Sequence, residues 1–324
     1  MSALALLEAL VTRDFPDSAR MGDAFDELTA QARNLKRDEF PEAFEKLASI
    51  VESDIPEAQQ PQLFNAIFAV VATAIDCHAA GLGIPFGKRI VNHFTSKGGP
   101  QSSVRKAYTT LGVACIEANH PVEAIVCHFE ERRLSIESAD RVGEATAAIN
   151  MSASFLQLGM YAEGVAVCQD VIARLWDFLV DMDTSPQRST VYVNLAQCEL
   201  ARQRFPEALR AARQAVDLMS DPQTPTGRTR KVVRYTILAK ALASMGRHAE
   251  AKDILREAAG LGERNPRAMQ NLLVTQAILE SFAGHHQAAT ETIERALQVS
   301  RDGGRLTEIQ VAQAQVYELA GRFD

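Results

Sequence analysis

The chain is poor in the residues that build disulfide-rich, nucleic-acid-binding and membrane-spanning proteins. Its 324 residues hold five cysteines, one tryptophan and twelve prolines, and only 6% of them are aromatic. The cysteines (Cys77, Cys115, Cys127, Cys168 and Cys198) are odd in number and form no CxxC pair. That excludes a disulfide framework and fits free thiols in a reducing compartment. Lys and Arg number 34 against 41 Asp and Glu, a formal net charge of −7, which argues against a dedicated nucleic-acid or anionic-membrane binder. No apolar run approaches the roughly 18–20 residues that span a bilayer. The apolar start at Met1–Leu7 lacks a basic n-region and is broken by Glu8, so it does not read as a signal peptide. The expectation is a cytoplasmic protein that engages neither nucleic acid nor membrane.

What is abundant is helix-forming sequence. Apolar residues make up 47% of the chain, and Ala, Leu, Glu, Arg and Gln dominate with almost no β-type alternation. One short turn signature keeps returning: Asn119-His120-Pro121-Val122-Glu123-Ala124, Gly159-Met160-Tyr161-Ala162-Glu163-Gly164 and Gln203-Arg204-Phe205-Pro206-Glu207-Ala208. Further copies are Gly246-Arg247-His248-Ala249-Glu250-Ala251 and Gly284-His285-His286-Gln287-Ala288-Ala289, and a last one, Gly321-Arg322-Phe323-Asp324, meets the chain end. The small residue opening the second helix (Ala124, Gly164, Ala208, Ala251, Ala289) recurs at intervals of 40, 44, 43 and 38 residues. Ahead of three of these turns stand Tyr108-Thr109-Thr110-Leu111-Gly112, Tyr192-Val193-Asn194-Leu195-Ala196 and Tyr235-Thr236-Ile237-Leu238-Ala239. Small residues at these points let paired helices approach closely, and the turn glycines supply the left-handed residue that ends the first helix.

An aromatic residue, then Leu, then Gly or Ala, with a later small residue after the turn, resembles the tetratricopeptide repeat. The resemblance covers residues 101–324 in five linked copies. The period is longer than that family's, in the style of MalT-like bacterial regulators and sensory regions of bacterial signalling proteins. The family's Trp position holds Tyr, Ala or Leu, and Trp176 falls in a second helix. Residues 1–100 repeat more weakly. Asp38–Phe44 resembles one more turn after a helix near 17–35, and helices near 59–80 and 85–95 flank Gly81-Leu82-Gly83. The expected fold is therefore all-α, a right-handed α-α superhelix (TPR solenoid) of seven to eight helical hairpins. Degenerate repeats occupy 1–100 and the regular array 101–324. Because the last copy stops inside its turn, the sequence reads as a fragment of a longer protein, such as the sensory half of a diguanylate cyclase.

The first helix of each pair would line a groove, so inward polar residues are the site candidates. The resemblance implies that Asn150 and Asn194 grip a ligand backbone with their donor-plus-acceptor amides. Arg228, Arg230, Lys231 and Arg234 lead into a first helix, with Lys240 beyond them, and Arg105 and Lys106 start another. Family members hold acidic peptide ends with such residues. The expected groove is thus Asn150, Asn194, Lys106, Arg234 and Lys240, favouring an acidic segment.

No metal or cofactor is expected. In Cys77-His78, Cys127-His128 and His285-His286 the members are adjacent, about 100° apart on a helix, and do not chelate one ion together. Gly81–Lys88 has Leu82 and Arg89 where a phosphate loop needs Gly and Ser or Thr, with no strand before it. Neither GxSxG nor HExxH occurs. The expectation is a non-catalytic module binding a protein segment, peptide or small effector, as the regulatory region of a signalling protein. The competing readings are a protein–protein scaffold, a MalT-like regulator and an enzyme concealed in the first hundred residues. An uncovered last helix would favour a homodimer.

Overall fold

The computed structural model describes residues 1–12, 18–53, 55–77, 79–181, 185–219, 225–262, 266–299, 310, 312–314 and 316–317. Among them there is no strand. They group into two compact units, Met1–Leu158 and Gly159–Asp324.

The first unit contains α1 (Ala3–Thr12), α2 (Ser18–Gln31), α3 (Phe40–Glu52), α4 (Gln60–Asp76), α5 (Gly83–Ser96), α6 (Gln101–Glu117), α7 (Pro121–Glu137) and α8 (Arg141–Gln157). The sequence reading did not mark α1 as a helix. Leu6, Leu7 and Leu10 are buried on one face of it, and it packs on α2 and α3. Up to α5, alternate helices lie side by side, with α1 on α3, α2 on α4 and α3 on α5. Short 3-10 turns such as Arg37–Glu39 and Ala80–Leu82 link them. Here the core is built from large rings instead of alanine. Phe25, Phe40 and Phe64 are fully buried, and Phe44 stacks on Phe86 at 5.2 Å between centroids. From α5 to α8 each helix packs on the next one in the chain.

The second unit contains α9 (Tyr161–Arg174), α10 (Trp176–Asp181), α11 (Ser185–Ala201), α12 (Phe205–Asp217), α13 (Pro225–Ser244), α14 (His248–Gly262), α15 (Pro266–Phe282) and α16 (His286–Val299). Helix pairs α11/α12, α13/α14 and α15/α16 pack as hairpins, and α12 meets α13 as α14 meets α15. The contact surfaces are lined by small residues: Ala196, Ala208, Ala212, Ala239, Ala251, Ala258 and Ala289 are all closed to solvent. An alanine seam lets helix axes approach toward the short end of the usual 8–10 Å range. Trp176 differs from expectation in one respect. The second helix ends at Arg174, and Trp176 opens the separate short helix α10.

Each hairpin turn holds its left-handed residue where the sequence pattern places it, at Gly159, Gly246 and Gly284, with φ of 75–79°. The two turns without glycine adopt the same geometry using Asn119 (φ 64°) and Gln203 (φ 60°). Paired bonds close these ends. In the third hairpin turn, the Arg204 amide donates to the Glu199 carbonyl and the Gln203 amide to that of Leu200, at 2.9 and 3.0 Å. This is the Schellman arrangement, which satisfies the last helical carbonyls. The last turn copy expected at Gly321–Asp324 lies outside the described residues.

Candidate functional site

Within the second unit, the first helices of neighbouring hairpins, α11 and α13, pack against each other. Their contact holds the most unusual charge in the described residues. Arg234, on α13, is only 5% exposed. Its Nε donates to Ser189 Oγ at 2.8 Å, Nη2 to Thr190 Oγ1 at 3.1 Å and Nη1 to the Arg230 carbonyl at 2.9 Å. Ser189 in turn donates to the Ala215 carbonyl at 2.7 Å, so its hydroxyl is fixed as an acceptor for the guanidinium. Every partner of Arg234 here is neutral, and among the described residues it has no carboxylate. Burial, followed by repulsion from Arg230, pulls its pKa down to about 10, which leaves it charged at neutral pH.

The surroundings add positive charge. Arg188 precedes Ser189 on α11. Its guanidinium lies 5.7 Å from the Trp176 ring centre, and its buried Nε has no hydrogen-bond partner. Trp176 meets Tyr192 edge-on at 5.4 Å. The Lys231 ammonium sits 5.5 Å from the centre of the Tyr235 ring. Asn194 follows Thr190 by four residues, so the two share a face of α11, and Asn194 is 6% exposed. Of the residues singled out from the sequence, Arg234 thus lies in this contact and Asn194 stands one helical turn beyond the Thr190 hydroxyl that holds it.

Lys240 is exposed on α13, six residues beyond Arg234. Lys106 and Asn150 belong to the first unit, on α6 and α8, and both are half-buried. The Lys106 ammonium lies 5.5 Å from the centre of the Phe64 ring, and burial, with Arg105 beside it, lowers its pKa. Asn150 contributes its carbonyl, which accepts from Ser154 Oγ at 3.2 Å. Sequence reasoning did not select Arg188, Ser189 or Thr190. Gln187-Arg188-Ser189-Thr190 reads as an ordinary polar helix start, and only the packing of α13 gives it meaning.

A separate cleft of about 400 Å³ lies between α14 and α15, floored by Leu255, Ala259, Leu279 and Ala283. Its walls carry both signs of charge, Lys252 and Arg256 facing a lining that includes Glu280, so it selects no one ligand class. Among the described residues no group of three or more His, Cys, Asp or Glu is placed to hold a metal ion, and no helix is long and apolar enough to cross a membrane. His78 lies outside the described residues.

No family model matches the sequence, and no curated protein matches it. Solved structures do. The apo form of the quorum sensor NprR from B. thuringiensis is 12% identical and covers 99% of this chain and 94% of its own, with a TM-score of 0.65. NprR in complex with its cognate peptide NprX gives 0.55 at 11% identity, over 98% of both chains. A Rap protein complexed with competence and sporulation factor gives 0.63 at 12% identity, over 94% of this chain and 87% of its own. A tetratricopeptide repeat protein from Parabacteroides merdae ATCC 43184 gives 0.55 at 13% identity, over 90% and 98%. At these identities the likeness concerns fold: this chain has a tetratricopeptide-type, all-α arrangement of helical hairpins.

Proposed function

We propose that this protein is a non-catalytic binding module whose second unit captures an acidic protein or peptide segment at Arg234. One observation carries the reading: an arginine, 5% exposed, whose guanidinium has only neutral partners among the described residues. Burying an unpaired charge costs on the order of several kcal/mol, and an incoming carboxylate offsets that cost with charge-assisted bonds. Three of the five guanidinium N–H groups are engaged, which leaves two for a ligand. Arg230, Arg188 and Lys231 supply the positive surroundings, and Asn194 supplies an amide for the backbone of the bound segment. Lys240 belongs to the same proposal as a further contact point on the second unit, and Lys106 and Asn150 are proposed as separate contact points on the first. The peptide complex of NprR, which shares the fold, supports a peptide or protein partner. The long repeat period supports a regulatory role in bacterial signalling in the manner of MalT-like proteins, the bound segment acting as the signal.

Titration calorimetry tests this with a nine-residue peptide containing three Asp or Glu residues and its Asn/Gln counterpart. The acidic peptide is expected to bind at least tenfold more tightly, and Arg234→Met to remove the difference. Equal binding of the two peptides to the unaltered protein would overturn the reading.

A further inference from the structure

Helix α7 carries apolar residues on both sides. The side it turns to the core holds Ala124, Cys127 and Leu134 and, among them, the polar His128, Glu131 and Ser135, each 0–1% exposed. The side it turns to solvent carries Val122, Val126, Phe129 and Ile136, exposed by 63, 60, 58 and 53%. Isolated apolar residues on a surface need no explanation, but four on one stripe along most of a helix do. The spacing of four, three and seven keeps them in line.

The helix has no freedom to hide this stripe by turning. His128 Nδ1 and Glu131 Oε2 lie 2.9 Å apart in the closed interior. The His128 ring occupies the space that a side chain at Gly112 of α6 would need, since a Cβ there would fall 2.5 Å from Cε1. Rotation would carry this pair into solvent and bring Arg133 with its carboxylate neighbours toward the core, burying charge that water now solvates. The interior polar pair thus fixes the apolar face outward.

The charges beside the stripe define what fits it. Glu123, Glu130 and Glu137 recur every seven residues along one flank. Arg133 bridges Glu130 and Glu137, and Lys88 lies 3.7 Å from Glu123. Three carboxylates therefore face two permanent cations, Lys88 and Arg133, the latter standing in the stripe between Phe129 and Ile136, with the His120 ring also 3.6 Å from Glu123; these exposed pairs exchange partners at little cost. An antiparallel second copy of α7 would set acidic flank against acidic flank, which disfavours self-pairing. We infer that the α7 face docks an amphipathic helix of a partner protein whose apolar stripe is bordered by Lys or Arg. This inference is independent of the acidic-segment site, because it rests on the first unit and on ligand chemistry of opposite sign.

The test uses the full chain and two fluorescent 18-residue helical peptides. Both carry Leu at i, i+3, i+4 and i+7 spacing; one has Lys on the flanks and the other Glu. Anisotropy titration is expected to favour the Lys peptide at least tenfold. Val126→Asp plus Phe129→Asp is expected to weaken it at least tenfold with unchanged circular dichroism, both positions being exposed. Glu130→Lys plus Glu137→Lys is expected to shift the preference toward the Glu peptide. Equal affinity for the two peptides, or binding insensitive to the Asp variant, would overturn the inference. So would a dimer of the unaltered chain in sedimentation that the Asp variant dissolves, since a second copy would then own the face.

Discussion

At Arg234 the side chain is held by two hydroxyls and a carbonyl, groups that orient a guanidinium without neutralising it. Burial lowers its pKa, so its charged form is disfavoured in the folded protein. The sign follows directly. The cost of charge is fully present below pH about 10 and is relieved only as pH rises through that value. Throughout the neutral range the site is cationic, and acidic-peptide affinity should not vary with Arg234 ionisation between pH 6 and 8. The cysteines follow the same burial logic with opposite consequence. Burial pushes the Cys127 and Cys198 thiols up to about 12 and Cys115 to about 11, and Cys168 is buried as well. Only Cys77 is partly open. A disulfide reagent at pH 8 should modify Cys77 first and leave those four until the protein unfolds; rapid modification of more than one thiol would contradict these burials. The residue types at both places were visible in the sequence, but their burial was not. An arginine in a basic run reads as a solvated helix start until a second helix is laid over it.

At the level of helices and turns, the repeating signature was a reliable guide because it encodes a steric need. Every small anchor from Ala124 to Ala289 is buried, and every hairpin turn from Asn119 to Gly284 has its left-handed residue. The non-glycine residues at two of them pay a strain of about 1–2 kcal/mol. Gln203→Gly should therefore stabilise the protein, by up to about 1 kcal/mol, whereas Gly246→Ala should cost about 1 kcal/mol. Urea denaturation of the two variants checks both signs; stabilisation by Gly246→Ala would refute the turn assignment. The pattern was weakest where side-chain size changes. In residues 1–100 phenylalanines such as Phe25, Phe40 and Phe64 occupy the interior, so helices pack on alternate neighbours and the small-residue periodicity fades. The outward face of helix α7 is not legible in the sequence for another reason. Its apolar residues follow a helical period as regularly as a core face would, and only the His128–Glu131 pair beneath Gly112 reveals which side faces out.

For the whole molecule, a formal charge of −7 coexists with a cationic cluster on α11 and α13. Net charge alone argues against nucleic acid and anionic membranes, and the proposal of an acidic segment rests on the local basic residues. The single tryptophan, excited apart from the five tyrosines, makes this cluster observable in a chain of 324 residues. Trp176 lies beneath Arg188, the neighbour of Ser189. Acidic-peptide binding is expected to change its fluorescence saturably, with the midpoint found by calorimetry, and the Lys-flanked helical peptide is expected to leave it unchanged. A response to the latter alone would detach the tryptophan from the proposed site. The most direct measurement is chemical denaturation of the unaltered protein and Arg234→Met, each with and without acidic peptide. The account predicts that the free variant is at least as stable, because an unpaired buried charge has been removed. It also predicts that peptide at about a hundred times its dissociation constant stabilises the unaltered protein alone, by about 2.7 kcal/mol. A variant destabilised by about 3–5 kcal/mol, together with an unaltered protein indifferent to the peptide, would show that Arg234 is structural and contradict the account.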